Sequence, residues 1–147
     1  MILLSIIAGQ GVLPSRINDI KEADMKIQNY RQVKGKEELP GVMMHVVAGP
    51  DEGVPNFVMR VFELEPSGAT PFHSHPWEHE VLIVSGKGIV KGEQSETPLS
   101  EGDAIYVKPG EKHCFNNAGN DVFRFVCVVP LIDGKMPGSL SSNKPLD

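Results

Sequence analysis

The chain has 147 residues and a mass of 16.0 kDa, the size of one domain with a single core. A net charge of −5 excludes a basic nucleic-acid groove, and two cysteines are too few for a disulfide framework. With 15 glycines and 12 prolines, the composition favours short elements joined by turns over long helices.

Residues 1–8 form the longest apolar run, far short of the ~20 residues that span a bilayer, and they lack the basic start of a signal peptide. The sequence therefore reads as cytoplasmic, with no membrane and no nucleic acid among its partners. Residues 1–24 are expected to be an N-terminal extension, with a short helix over 17–25, ahead of a domain over 25–132. Inside that domain β-rich runs return at roughly 8–12-residue intervals between turn residues, the pattern of a sandwich or barrel. The pattern predicts strands over 42–48, 56–64, 80–85, 104–107, 113–116 and 122–129, with 89–91 as the hairpin partner of 80–85. Residues 133–147, rich in Pro, Gly, Ser and Asn, are expected to form a flexible C-terminal tail.

Chemistry concentrates in the histidines. Four of the five lie in two clusters, His73, His75 and His79 in the first and His113 in the second. Side chains on an extended strand repeat every two residues, so His73 and His75 share a face. Pro76 ends that segment and starts a bend, after which His79 returns toward the first two. Converging neutral imidazoles are ligands for a divalent transition metal, whereas burying them without one leaves ring nitrogens needing separate partners. His45 stands alone and reads as a structural residue.

The two clusters sit in motifs that resemble those of the cupin superfamily, in particular its small single-domain cupin-2 barrels. Gly68, His73, His75, Glu80 and Gly86 follow the first cupin motif, with the spacer at each glycine end one residue short. Gly102, Gly110, His113 and Asn117 follow the second, with the proline displaced by one position to Pro109. The stretches 55–60 and 73–80 are most similar to the four-histidine manganese-binding cupins of thermophilic bacteria. The resemblance implies an all-β fold, a double-stranded β-helix or jelly-roll barrel, that forms a homodimer. It implies metal ligands at His73, His75, His79 and His113, with Glu80 as the rival of His79. Whichever of that pair is not a ligand is a candidate to orient an imidazole through its free N–H.

Manganese is favoured as the one divalent ion, with iron, nickel, copper or zinc able to occupy the same imidazoles. A closed tetrahedral zinc site is the structural alternative. Around the ion, Phe115, Ile105 and Ile83 are candidate apolar lining, and Trp77 a packing plug. Cys127 either approaches the metal or is a plain buried cysteine, while Cys114 faces away. Arg60 either points inward to bind a carboxylate or makes a rim or dimer contact. The leading functional expectation is a mononuclear metal-dependent oxidoreductase of dioxygenase type acting on a small organic molecule. A non-catalytic binding or sensor module and a metal-dependent isomerase or lyase are the alternatives. Metal is expected to leave below about pH 6.5, where free imidazoles take protons.

Overall fold

A computed structural model describes residues 25–138, and the extension over 1–24, most of its expected helix and residues 139–147 lie outside it. The described elements in chain order are β1 (Lys36–Leu39), β2 (Val42–Ala48), β3 (Phe57–Leu64), β4 (His79–Ser85), β5 (Gly88–Lys91), β6 (Glu96–Leu99), β7 (Ala104–Val107), β8 (Cys114–Asn117) and β9 (Phe123–Pro130). Two single-turn 3-10 helices, Tyr30–Gln32 and Pro50–Glu52, complete the list. No described helix is long and apolar enough to cross a membrane.

A six-stranded antiparallel sheet runs β1-β2-β3-β9-β4-β7, and a three-stranded sheet runs β6-β5-β8. This is the all-β jelly-roll arrangement that the sequence resemblance implies. Alternation along the central strands builds the core between the sheets. In β9, Phe123, Phe125, Cys127 and Val129 are buried while the residues between them are half-buried. In β3, Val58, Arg60, Phe62 and Leu64 point the same way, and in β4 His79, Val81 and Ile83 do. Phe62 and Phe125 stack at 5.2 Å between ring centroids, and Phe115 meets Phe125 at 5.0 Å from the smaller sheet. One inward position on β3, one on β9 and one on β4 are thus taken by Arg60, Cys127 and His79 instead of hydrocarbon, and those three mark the end of the barrel that carries the site.

The pairing of β5 differs from the sequence expectation. It is not the hairpin partner of β4 but pairs with β6 and β8 in the other sheet. The crossing is made at Gly86, whose φ of 84° suits glycine and where a Cβ would come within 2.5 Å of Val122 O. Gly88 then lies under the buried Phe123 ring, which a Cβ would approach to 2.3 Å. Close approach of backbone and ring carries the chain over the core to the second sheet. At the described start of the expected tail, Ile132 and Lys135 exchange two backbone hydrogen bonds of 2.9 Å, and Pro137 is buried.

Candidate metal centre

Both histidine clusters reach the barrel interior through one antiparallel bridge. His73 N donates to His113 O at 3.2 Å, and His113 N donates to His73 O at 2.9 Å. Thr70 continues this pairing, with its N donating to Phe115 O and its Oγ1 accepting from Phe115 N, both at 2.9 Å. At the far end Gly110 N donates to His75 O at 2.8 Å, so the turn of the second motif is pinned to the bend of the first. His79 enters from the other sheet as the first residue of β4. The ring centroids of His73, His75 and His79 lie 4.9, 5.1 and 4.7 Å from that of His113.

One donor atom from each of His73, His75 and His113 lies within 4.8 Å of the other two. The hydrogen bonds identify the free nitrogen. Nδ1 of His73 donates to Pro71 O at 2.7 Å, that of His75 to Trp77 O at 2.6 Å, and that of His113 to Glu111 O at 2.7 Å. A carbonyl can only accept, so each Nδ1 carries the proton and each Nε2 keeps its lone pair. His79 has a sulfur in place of the carbonyl: its Nδ1 is 3.1 Å from Cys127 Sγ and its Nε2 is 3.0 Å from His113 Nε2. His79 is not part of the trio whose donor atoms all lie within 4.8 Å of one another; its approach to His113 is a separation that two ligands of one ion, with bonds of ~2.1 Å, would also have. The donor set therefore suits a divalent transition metal.

Glu80 is elsewhere. One residue along β4 from His79, it stands on the exposed face beside Glu78. Nor does it orient a ring, because the four Nδ1 atoms already have Pro71, Trp77, Glu111 and Cys127 as partners.

The four imidazoles themselves line a cavity of about 40 Å³, whose other walls are Phe62, Trp77, Phe115 and Phe125 with Arg60, Thr70 and Cys127 as further polar groups. Phe115 takes the lining position expected of it. Ile83 and Ile105 do not, since Ile83 is buried in the core and Ile105 packs against that core. Trp77 both plugs and lines, stacking on His75 at 4.5 Å with planes 3° apart. Arg60 points inward to the cavity and is 7% exposed. It sits opposite Cys127 in the β3–β9 register, donates from Nη2 to Cys127 Sγ at 3.0 Å, and lies 5.2 Å from the Phe62 ring centroid. Cys127 is thus the hinge between the guanidinium and His79. Cys114 is buried outside the cavity lining, its Sγ 3.6 Å from Asn116 Oδ1.

The family model of the cupin domain, Cupin_2, matches residues 60–129. The chain is also 30% identical over 111 residues to the oxalate-binding protein of Thermotoga maritima, covering 73% of this chain and 86% of that protein. The chain belongs to the cupin-2 family.

Other relatives of this cupin differ in what they do. It is 28% identical over 72 residues to the (R)-mandelonitrile lyase of Granulicella tundricola, a match covering 48% of this chain and 55% of the lyase. The solved structure of the polyketide cyclase RemF from Streptomyces resistomycificus superposes with a TM-score of 0.67 at 28% identity, over 72% of this chain and 79% of the cyclase. Family membership therefore establishes the barrel and leaves the chemistry to the residues inside it.

In this cupin the interior is built to keep imidazoles neutral. Burial lowers the pKa of His75 to about 4, with the neighbouring His113, His73 and Arg60 charges pushing the same way. Burial lowers His79 further still, and lowers His113. Burial raises the Cys127 thiol, while Arg60 beside it opposes that rise. Phe62, Thr70, Phe125 and Gly138 also line the cavity, and the sequence reading did not name them. Two of them carried a usable signal, since Phe62 shares strand parity with Arg60 and Phe125 with Cys127. Thr70 did not: three residues before His73, it falls on the opposite face by strict alternation, and it reaches the cavity because the pairing register shifts by one residue between Ala69–Asn116 and His73–His113.

Proposed function

We propose that this cupin is a metal-dependent small-molecule protein in which His73, His75, His79 and His113 hold one divalent transition ion and the cavity they line takes an organic ligand. The observation that carries the reading is the fixing of the imidazoles, with three Nδ1 protons committed to backbone carbonyls and Nε2 left free. A bound ion would supply Lewis acidity and, for manganese or iron, redox capacity. The protein's own groups do the rest. Trp77, Phe115 and Phe125 exclude water from the ligand's apolar part, Thr70 holds the His73 ribbon against β8, and Cys127 presents His79. Manganese is the favoured ion, and the ligand-binding part draws support from the Thermotoga relative, whose name is that of an oxalate-binding protein.

Turnover of dioxygenase type is the enzymatic form of this proposal. Oxygen uptake by the manganese or iron form with a bound organic substrate, absent from the zinc form, supports it. Tight ligand binding with no product in any metal form assigns the protein to the binding and sensor class. Product formed equally well by the zinc form without oxygen points to isomerase or lyase chemistry.

We also infer a homodimer. Met59, Leu82, Val84 and Tyr106 leave apolar surface exposed on the outer face of the six-stranded sheet, and burying such surface drives association. Sedimentation at micromolar concentration tests it, and a monomer there refutes it. Cytoplasmic residence is supported by the free thiols of Cys114 and Cys127 and is tested by cell fractionation.

A further inference from the structure

Arg60 is an anomaly in this fold. It occupies an inward position of a central strand, it is 7% exposed, and its Nε has no hydrogen-bond partner. Among the described residues no carboxylate forms an ion pair with it. The cavity it lines holds neutral aromatic, imidazole, hydroxyl and thiol groups and no aspartate or glutamate. In a chain of net charge −5 this is the reverse of the overall sign. Its one polar contact is Nη2 to Cys127 Sγ, a soft acceptor that leaves most of the guanidinium fork unused. A buried cation without a counter-charge destabilises a fold, so such an arrangement persists where a ligand supplies the missing charge.

We propose that Arg60 is the anion receptor of the cavity and that the ligand is a small organic carboxylate. The planar fork of an arginine matches a carboxylate through two parallel N–H···O bonds, which a lysine cannot reproduce. The cavity is small, about 40 Å³ against the roughly 10–15 Å³ that one water needs, which suits an acid of a few carbon atoms. Besides the imidazoles, Thr70 and the Trp77 indole are lining groups that carry a donor for the remaining polar part of the ligand. This inference rests on the metal-dependent reading above and adds the charge of the ligand and the residue that receives it.

The test compares wild type with Arg60→Met, which fills similar space without charge, and with Arg60→Lys, which keeps the charge and loses the fork. Oxalate is the probe and oxamide its uncharged counterpart, titrated by calorimetry into metal-loaded protein whose ion content is measured on the same samples. Arg60→Met is expected to keep its ion and to bind oxalate at least tenfold more weakly, with Arg60→Lys intermediate and oxamide binding the same in all three. Without ligand, Arg60→Met is expected to melt no lower than wild type, because an uncompensated charge has been removed. Oxalate binding by Arg60→Met within twofold of wild type overturns the proposal, as does a marked loss of ligand-free stability that shows Arg60 to be structural. If wild type holds no ion, the metal-centre reading fails separately. Thermal stabilisation by oxalate is then compared in the metal-free proteins, where stabilisation of wild type but not Arg60→Met upholds Arg60 and equal stabilisation overturns it.

Discussion

Replacing Asn117 with alanine removes a fastening that holds the second motif to both sheets. Asn117 is the last residue of β8 and is buried. Its Nδ2 donates to Leu64 O at 2.9 Å, tying β8 to the end of β3, and to Asp121 O at 2.8 Å, closing the loop that leads into β9. Its Oδ1 accepts from Gly119 N at 2.8 Å within that loop. Each such bond contributes about 1 kcal/mol net, and leaving a buried carbonyl unpaired costs about 1–3 kcal/mol, so the loss is about 3–5 kcal/mol after water satisfies the loop groups. For a domain of this size that corresponds to a fall in Tm of roughly 10–20 °C. Urea unfolding followed by tryptophan fluorescence, reporting on Trp77, measures it. Asn117→Asp should be no better, because a carboxylate keeps the bond from Gly119 N but faces two carbonyls it cannot donate to. A loss below about 1 kcal/mol for Asn117→Ala would refute the reasoning, since it would mean the three bonds are replaced by water without penalty.

Gly88→Ala should destabilise by about 1–3 kcal/mol, because its Cβ would lie within 2.3–2.8 Å of Phe123 ring atoms and that ring is fully buried; an unchanged melting curve contradicts it. Cys127→Ala should weaken metal affinity by about 10–100-fold through loss of the His79 Nδ1 partner, measured by competition with a chromophoric chelator; equal affinity would free His79 from any dependence on the thiol. Chelator-treated protein should lose stability as pH falls. His75 has its folded pKa lowered to about 4 and His79 is lowered too, while the unfolded chain takes protons near 6.5. The unfolded state therefore binds more protons between those values, so the stability is full above about pH 6.5 and is lost as pH falls toward 4. Urea midpoints that stay level from pH 7.5 to 5 would contradict this sign.

Strands with clean apolar alternation between turn residues were legible in the sequence. The boundaries of β2 and β7 coincide with the predicted 42–48 and 104–107, and those of β3 and β9 shift by one residue. The two strands not predicted are edge strands. β1 is Lys-Glu-Glu-Leu, and β6 carries Pro98 and pairs on one side only, so neither presents the hydrophobic pattern of a buried strand. The pairing of β4 with β5 failed for a different reason. Adjacency in sequence favours a hairpin, but the packing of Gly88 against Phe123 that sends β5 to the other sheet is a long-range contact.

At the site, the spacing of His73, His75 and His113 expressed their convergence, because a strand repeat and a bridge are both local geometry. His79 and Glu80 differ by one position, and the choice between them lay in strand parity: Val81 and Ile83 are core residues, so His79 shares their face and Glu80 the opposite one. The orientation of Arg60 was legible by the same rule from Val58 and Phe62. Its lack of a carboxylate partner was not, since that depends on what the other strands bring to the cavity. Gly138 reaches the cavity from a segment with no periodic pattern, and nothing in its sequence points there.

Metal stoichiometry tests the central claim most directly, measured by elemental analysis on protein purified without a nickel column and supplied with manganese. The account predicts one ion per chain in wild type and in Glu80→Ala, and loss of the ion in His79→Ala. Ion-free wild type under those conditions, or an ion retained by His79→Ala and lost from Glu80→Ala, would contradict it.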